Sequence, residues 1–124
     1  MQSNPFSFEL YNATINGKIW QPKTTPKAII ILVHGMGEHI GRYEKSVIPH
    51  LVKNDFAVVA YDQFGHGKTS GKRGHNPSYD AVLCCITKVI VQSNATFKSA
   101  PLFLYGHSMG GNVVLNYVLR RKHP

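Results

Sequence analysis

The 124 residues suit one domain large enough to bury a core, with 43% of them hydrophobic. Fourteen basic against six acidic residues leave a formal charge of +8, a field that favours acidic partners, nucleic acid or anionic lipid among them. No apolar run reaches the ~20 residues of a membrane-spanning helix, and the only two cysteines, adjacent at Cys84 and Cys85, exclude a disulfide framework.

The start, MQSNPFSFEL, has no basic segment followed by an apolar one. No secretory signal is read there, and a cytoplasmic protein is expected, peripheral to membranes at most. Residues 5–22, PFSFELYNATINGKIWQP, alternate and carry Asn16-Gly17 near their middle. Asn-Gly is the strongest short hairpin signal, because both residues accept positive φ, so an N-terminal β-hairpin is expected. AIIILVHG, 28–35, is a continuous apolar run whose length and β-branched content suit a strand buried on both faces. Apolar residues at 43, 47, 48, 51 and 52 then follow helical spacing, with Pro49 expected to kink that helix or mark its start. FAVVAYD, 56–62, is a second buried strand, and QFGHGKTSG is a loop. NPSYDAVLCCITKVIVQSN predicts a helix with Asn76 as N-cap and Pro77 at its first position. PLFLYG, 101–106, is a third buried strand, and MGGNVVLNYVLRRK a final helix with basic residues in its last turn. The order is hairpin, β, α, β, α, β, α, which argues for an α/β sheet with right-handed crossovers.

Between the last strand and helix, Gly106-His107-Ser108-Met109-Gly110 fits G-x-S-x-G. That pattern has meaning only in a sharp strand-to-helix turn, which is the context here. The turn would lift the Ser108 hydroxyl above the sheet, at the positive end of the following helix. The Met109 N–H is then one donor to a developing oxyanion, and the Met36 N–H, in the HGMG loop after the first buried strand, is the natural second.

Other patterns fail. GHGKTS ends as a phosphate-binding loop does, but the glycine required five residues before Gly67 is Asp62. His34, Glu38 and His39 lack zinc-motif spacing, and the seven histidines show no ligand pattern, so no metal is expected. His107 adjoins Ser108, so its side chain is directed elsewhere, and loop packing is its expected role. Asp62, at a strand end, is expected to bond loop groups rather than react. No basic helix face or RNA-binding aromatic motif accompanies the charge, so nucleic acid is not an expected partner. Surface solvation is the simplest role for the charge; a transient membrane-surface contact is compatible with it.

AIIILVHGMGEHIGRYE, FAVVAYDQFGHGKTSGKRG and PLFLYGHSMGGNVVLNYVLRR together resemble the monoacylglycerol lipase and lysophospholipase branch of the α/β-hydrolases. Serine-aminopeptidase-like hydrolases share these blocks. The resemblance runs from about Asn16 to Pro124. It implies Ser108 as nucleophile, Met36 and Met109 as backbone oxyanion donors, no cofactor, and hydrolysis of small lipid or other carboxylic esters through an acyl-Ser108 intermediate. His34, Gly35, Gly37, Asp62, Gly65, His66, Gly67, Gly106, His107 and Gly110 match structural parts of the motif loops. Members continue past this helix with further strands, a lid, an acid and a histidine. On that resemblance residues 1–124 are a partial domain, the N-terminal half of the sheet, ending after the helix that follows the nucleophile. His123 alone follows Ser108, too far along the helix to act as its base. The strand at 101–105 would then be an apolar edge, open to the C-terminal half or to a second copy of the chain, and the chain alone is expected to be marginally stable or to associate. The alternative is an inactive truncated hydrolase that uses the same edge as a binding module.

Overall fold

The computed structural model describes residues 2–121, so the expectation for His123 lies outside the described residues. Five strands form one sheet in the order β1-β2-β4-β3-β5. They are β1 (Gln2–Leu10), β2 (Ala13–Gln21), β3 (Ala28–Val33), β4 (Phe56–Tyr61) and β5 (Leu102–Gly106). β1 and β2 form an antiparallel hairpin, β2 runs antiparallel to β4, and β3 lies parallel to both β4 and β5. The helices are α1 (Val47–Lys53), α2 (Tyr79–Thr96) and α3 (Met109–Arg120).

The hairpin is where the sequence puts it, but its turn is not. Leu10 pairs with Ala13, and Tyr11 and Asn12 carry φ of 50° and 60°, a two-residue turn with both centres left-handed. Asn16-Gly17 lies inside β2 and serves two other ends. Gly17 faces Phe6 across the hairpin so closely that any Cβ would overlap the phenyl ring. The Asn16 side chain donates to Asp62 Oδ2 at 3.0 Å, tying the hairpin to the loop after β4.

β3 and β4 read as continuous apolar runs because both sheet faces are covered. Ile29, Ile31, Val33, Val59 and Tyr61 face α2 and α3, packing on Ala81, Ile86, Val89, Val113 and Tyr117. Leu32, Val58, Ala60 and Trp20 face the other way, onto Ile48 and Val52 of α1 and onto Ile40 and Tyr43. β5 departs from the expectation of a buried strand. Among the described residues it is paired on one side only, and Phe103 and Tyr105 are 55% and 38% exposed.

Helix starts also shift. Residues Ile40–Tyr43 form a separate 3-10 turn, and α1 begins at Val47 with Pro49 in its first turn, where no intrahelical N–H is required. The N-cap of α2 is Ser78, whose hydroxyl accepts from Ala81 N–H at 3.0 Å, not Asn76. Ser78 has the extended backbone that a cap needs.

β3 and β5 are neighbours, yet the chain leaves β3 towards α1 on one face and leaves β5 towards α3 on the other. Connections that part in this way open a crevice at the carboxyl ends of the strands. The loop after β3 and the turn after β5 therefore meet there.

Candidate active site

Ser108 sits at the turn between β5 and α3 with φ 56° and ψ −119°, a conformation that a serine adopts at a cost of about 1–3 kcal/mol. Close packing holds it there. A Cβ on Gly106 would press into the Gly110 carbonyl, and a Cβ on Gly110 into the Val33 and His34 carbonyls at the end of β3. The first turn of α3 thus rests directly on the β3 backbone. His107 N–H donates to Val33 O at 3.2 Å and fixes the same junction.

The loop after β3 approaches from the other side. A Cβ on Gly35 would lie 3.1 Å from the His107 carbonyl and 3.3 Å from Ser108 Cβ. Three N–H groups of this loop have acceptors. Gly35 N–H donates to Glu38 Oε1 at 2.7 Å, Gly37 N–H to His66 Nε2 at 3.0 Å, and Glu38 N–H to Gly35 O at 3.2 Å. Met36 N–H is left without one among the described residues. On the elbow, Gly110 N–H donates to His107 O and Asn112 N–H to Ser108 O, while Met109 N–H, like those of Ser108 and Gly111, has no acceptor among the described residues. Met36 and Met109 line one small cavity of about 70 Å³ together with Phe64, His66, Tyr79 and Val82.

Two imidazoles brace the loop. Because Gly37 N–H can only donate, His66 accepts at Nε2 and its Nδ1–H donates to Phe64 O at 2.8 Å. His34 is fully buried; Nε2 accepts from Gln63 N–H at 3.0 Å and Nδ1–H donates to Gly35 O at 2.7 Å. Burial is the main reason its pKa is lowered, and the neutral ring is the form this bonding needs. The two rings stand 5.2 Å apart.

Asp62 knots the surrounding loops. Its buried carboxylate accepts from Asn16 Nδ2, from Ile40 N–H at 2.9 Å and from Lys68 N–H at 2.9 Å. Gly67 packs against that carboxylate with φ 52°, and Gly65 against the backbone of residues 72–75. Arg73 closes the loop by donating to the carbonyls of Gly67, Thr69 and Gly71.

The residues named from the sequence thus fall into one region, with different tasks. Ser108, Met36 and Met109 border the crevice. His34, Gly35, Gly37, Gly106 and Gly110 shape it, while Asp62, Gly65, His66 and Gly67 form the supporting loop. His107 turns away from the hydroxyl, with Nδ1 3.3 Å from both Glu38 Oε1 and Tyr43 Oη. No histidine or carboxylate among the described residues hydrogen-bonds Ser108 Oγ; the nitrogens of His34 and His66 are committed elsewhere. No group of three or more His, Cys, Asp or Glu among the described residues could hold a metal ion, and no described helix is long and apolar enough to cross a membrane.

Sequence reasoning missed Glu38, which it weighed only as a metal ligand. Its buried carboxylate gathers four donors: Gly35 N–H, Tyr43 O–H at 2.6 Å, His107 and Arg42 Nη1 at 2.7 Å. The Tyr43 hydroxyl foremost, then the Gly35 N–H, His107 and Arg42, bring its pKa down to about 2 against the opposing effect of burial. The one available signal was a glutamate three residues beyond Gly35, within reach of the loop's own N–H groups.

A mixed sheet with a strained serine between strand and helix, at the switch point of its parallel part, is the α/β-hydrolase arrangement. Residues 24–124 match the family described as serine aminopeptidase, S33, and the chain belongs to it. It is 42% identical over 113 residues to an uncharacterized abhydrolase domain-containing protein of Dictyostelium discoideum, covering 90% of this chain and 12% of that one. Against the monoglyceride lipase of Mus musculus it is 36% identical over 97 residues, covering 77% of this chain and 31% of the lipase. A highly thermostable carboxyl esterase from Bacillus coagulans superposes with a TM-score of 0.85 at 28% identity, covering 97% of this chain and 41% of the esterase. The chain therefore spans at most about a third of these two relatives' length.

Proposed function

We propose that this chain carries the nucleophile and the oxyanion-binding part of a serine hydrolase of carboxylic esters, with monoacylglycerols or lysophospholipids as its substrate class. One observation carries the reading. In two loops that meet over the sheet, the N–H groups of Met36 and Met109 have no acceptor among the described residues, the two residues line one cavity, and they flank a serine held in a strained turn. Likeness to the mouse monoglyceride lipase and the bacterial carboxyl esterase supports the substrate class.

In the proposed reaction Ser108 Oγ attacks the ester carbonyl while a histidine base, outside residues 2–121, takes its proton. The carbonyl oxygen gains charge and is held by the Met36 and Met109 N–H groups and the N-terminal end of α3. Collapse breaks the C–O bond, the alcohol leaves with that proton, and water repeats the sequence to release the acid. Loss of one such donor lowers kcat by about 100- to 1,000-fold in comparable enzymes.

The test is covalent trapping. Protein expressed from its intact reading frame is treated with an alkyl fluorophosphonate and the adduct located by peptide mass mapping. The expected adduct is on Ser108, and the Ser108→Ala variant loses it together with hydrolysis of monoacylglycerol. No adduct, or one on another residue, overturns the assignment.

A second reading, a binding module without turnover, is favoured by the absence, among the described residues, of an imidazole hydrogen-bonded to Ser108 Oγ and by the half-open β5 edge with Phe103 and Tyr105 outward. Ester turnover by the intact protein that disappears in Ser108→Ala eliminates it.

A further inference from the structure

We propose that Glu38 is a positioning residue that clamps the Met36 loop to the Ser108 elbow and decides which loop N–H faces the crevice. It bears on the hydrolase reading above, and extends it to a residue that touches no reacting atom.

The geometry places the carboxylate at the junction of three segments. Oε1 accepts the Gly35 N–H at 2.7 Å and the Tyr43 hydroxyl at 2.6 Å, and lies 3.3 Å from His107 Nδ1 on the elbow. Oε2 pairs with Arg42 at 2.7 Å. The Glu38 side chain is only 6% exposed. Gly35 is pressed between this carboxylate and the elbow: a Cβ there would lie 2.9 Å from Glu38 Oε1 on one side and 3.3 Å from Ser108 Cβ on the other.

Two consequences follow. First, the Gly35 N–H is consumed by Glu38. With Gly37 N–H consumed by His66 and Glu38 N–H by Gly35 O, Met36 N–H is the donor of residues 35–38 left for a ligand. Without the carboxylate, Gly35 N–H would be an equal competitor, and the peptide plane before it would be held only through the His34 carbonyl, which accepts from Gln63 Nε2. Second, the same oxygen that orders the loop also contacts His107, the residue before the serine. The loop and the elbow are therefore set relative to each other by one buried anion, through bonds stronger than neutral ones. Tyr43 and Arg42, from the turn between the loop and α1, hold that anion in place.

The experiment is amide hydrogen exchange by NMR on the protein expressed from its intact reading frame, comparing Glu38→Gln with Val52→Ala. Val52 is a buried residue of α1 whose side chain makes no hydrogen bond to either loop, so it serves as a destabilised control. In Glu38→Gln the Gly35 amide is expected to exchange about 10- to 100-fold faster, as for loss of a bond to a charged acceptor, with shifted Met36, His107 and Met109 amide resonances. In Val52→Ala, once corrected for global stability, Gly35 keeps its protection. Equal behaviour of the two variants overturns the proposal. Should Glu38→Gln not fold, Tyr43→Phe removes one donor and keeps the carboxylate. Displaced Gly35 and His107 signals then support the clamp, and unmoved ones overturn it. In the intact protein, trapping of Ser108 by fluorophosphonate is expected to slow about 10- to 100-fold in Glu38→Gln, less than direct loss of an oxyanion donor. Absence of trapping in the unsubstituted protein counts against the serine reading alone, because the amide exchange judges Glu38 without it.

Discussion

Gly110→Ala is the sharpest test of how the elbow is seated. An ideal Cβ at position 110 would lie 2.0 Å from Val33 O and 2.7 Å from Val33 C and His34 O, all of them backbone atoms. Ordinary contact begins at 3.4 Å, so α3 and β3 must part by about 1.4 Å (3.4 − 2.0) at this point. Neither can yield easily, since Val113 and Tyr117 on α3 and Val33 on β3 are each at most 2% exposed. Overpacking of this kind costs about 1–3 kcal/mol and occasionally more. The displaced His107 N–H to Val33 O bond adds to it, at about 1 kcal/mol. Alanine's better helix propensity returns up to about 1 kcal/mol. The net expectation is a loss of about 2–3 kcal/mol. For 124 residues the entropy of unfolding is about 0.26 kcal/mol/K, so Tm falls by roughly 8–12 °C. Gly111→Ala is the control one residue away. Its Cβ would meet nothing nearer than Gly106 O at 3.4 Å, so it gains the propensity and Tm rises by a few degrees. Thermal and urea melts followed by circular dichroism at 222 nm would read both. Equal shifts for the two variants, or a Gly110→Ala chain as stable as the parent, would refute the packing argument.

Other outcomes are expected from the buried polar groups. The Tyr61 hydroxyl is buried with no hydrogen-bond partner among the described residues, so Tyr61→Phe should leave stability unchanged or raise it by about 1 kcal/mol in urea titration; a loss of 1 kcal/mol or more would contradict this. Stability should also depend on pH in two windows. His34 has its folded pKa lowered from 6.5, so its contribution is complete above about 6.5 and is lost as pH falls below it. Glu38 is lowered from 4.5 to about 2, so its contribution is complete above 4.5 and is lost between 4.5 and about 2. The urea midpoint should be level above pH 6.5, decline below it, and decline more steeply below 4.5. A midpoint that rises on acidification would reverse both signs.

What could be read from the sequence was what rests on neighbours in the chain. β3 and β4 declared themselves because both of their faces are buried, and the Ser108 turn because its strain and its close contacts need small residues at fixed spacing. The hairpin turn was misread because Asn-Gly is a local signal and the demand on it was remote. Gly17 makes room for Phe6, and Asn16 reaches Asp62, 46 positions away, while Tyr11 and Asn12 take up the left-handed turn. The start of α2 failed for a smaller reason, Ser78 being the residue whose hydroxyl reaches an N–H in the first turn. β5 looked like β3 in composition, but burial depends on what covers a strand, and no described helix covers Phe103 and Tyr105. The Glu38 cluster was beyond local reading, since it joins residues 38, 43 and 107, and a separation of 69 positions leaves no periodic trace.

The loop after β3 also separates a residue's identity from its task. The bonds that order residues 34–38 are made by backbone groups and by the side chains of His34, Glu38, Arg42, Tyr43, Gln63, His66 and His107. The Met36 side chain takes no part and is 73% exposed. Any amino acid but proline offers the same N–H at that position. Residue 36 is thus a place where sequence can drift freely, altering what the mouth of the crevice presents to a ligand, while the donor beneath it stays as it is.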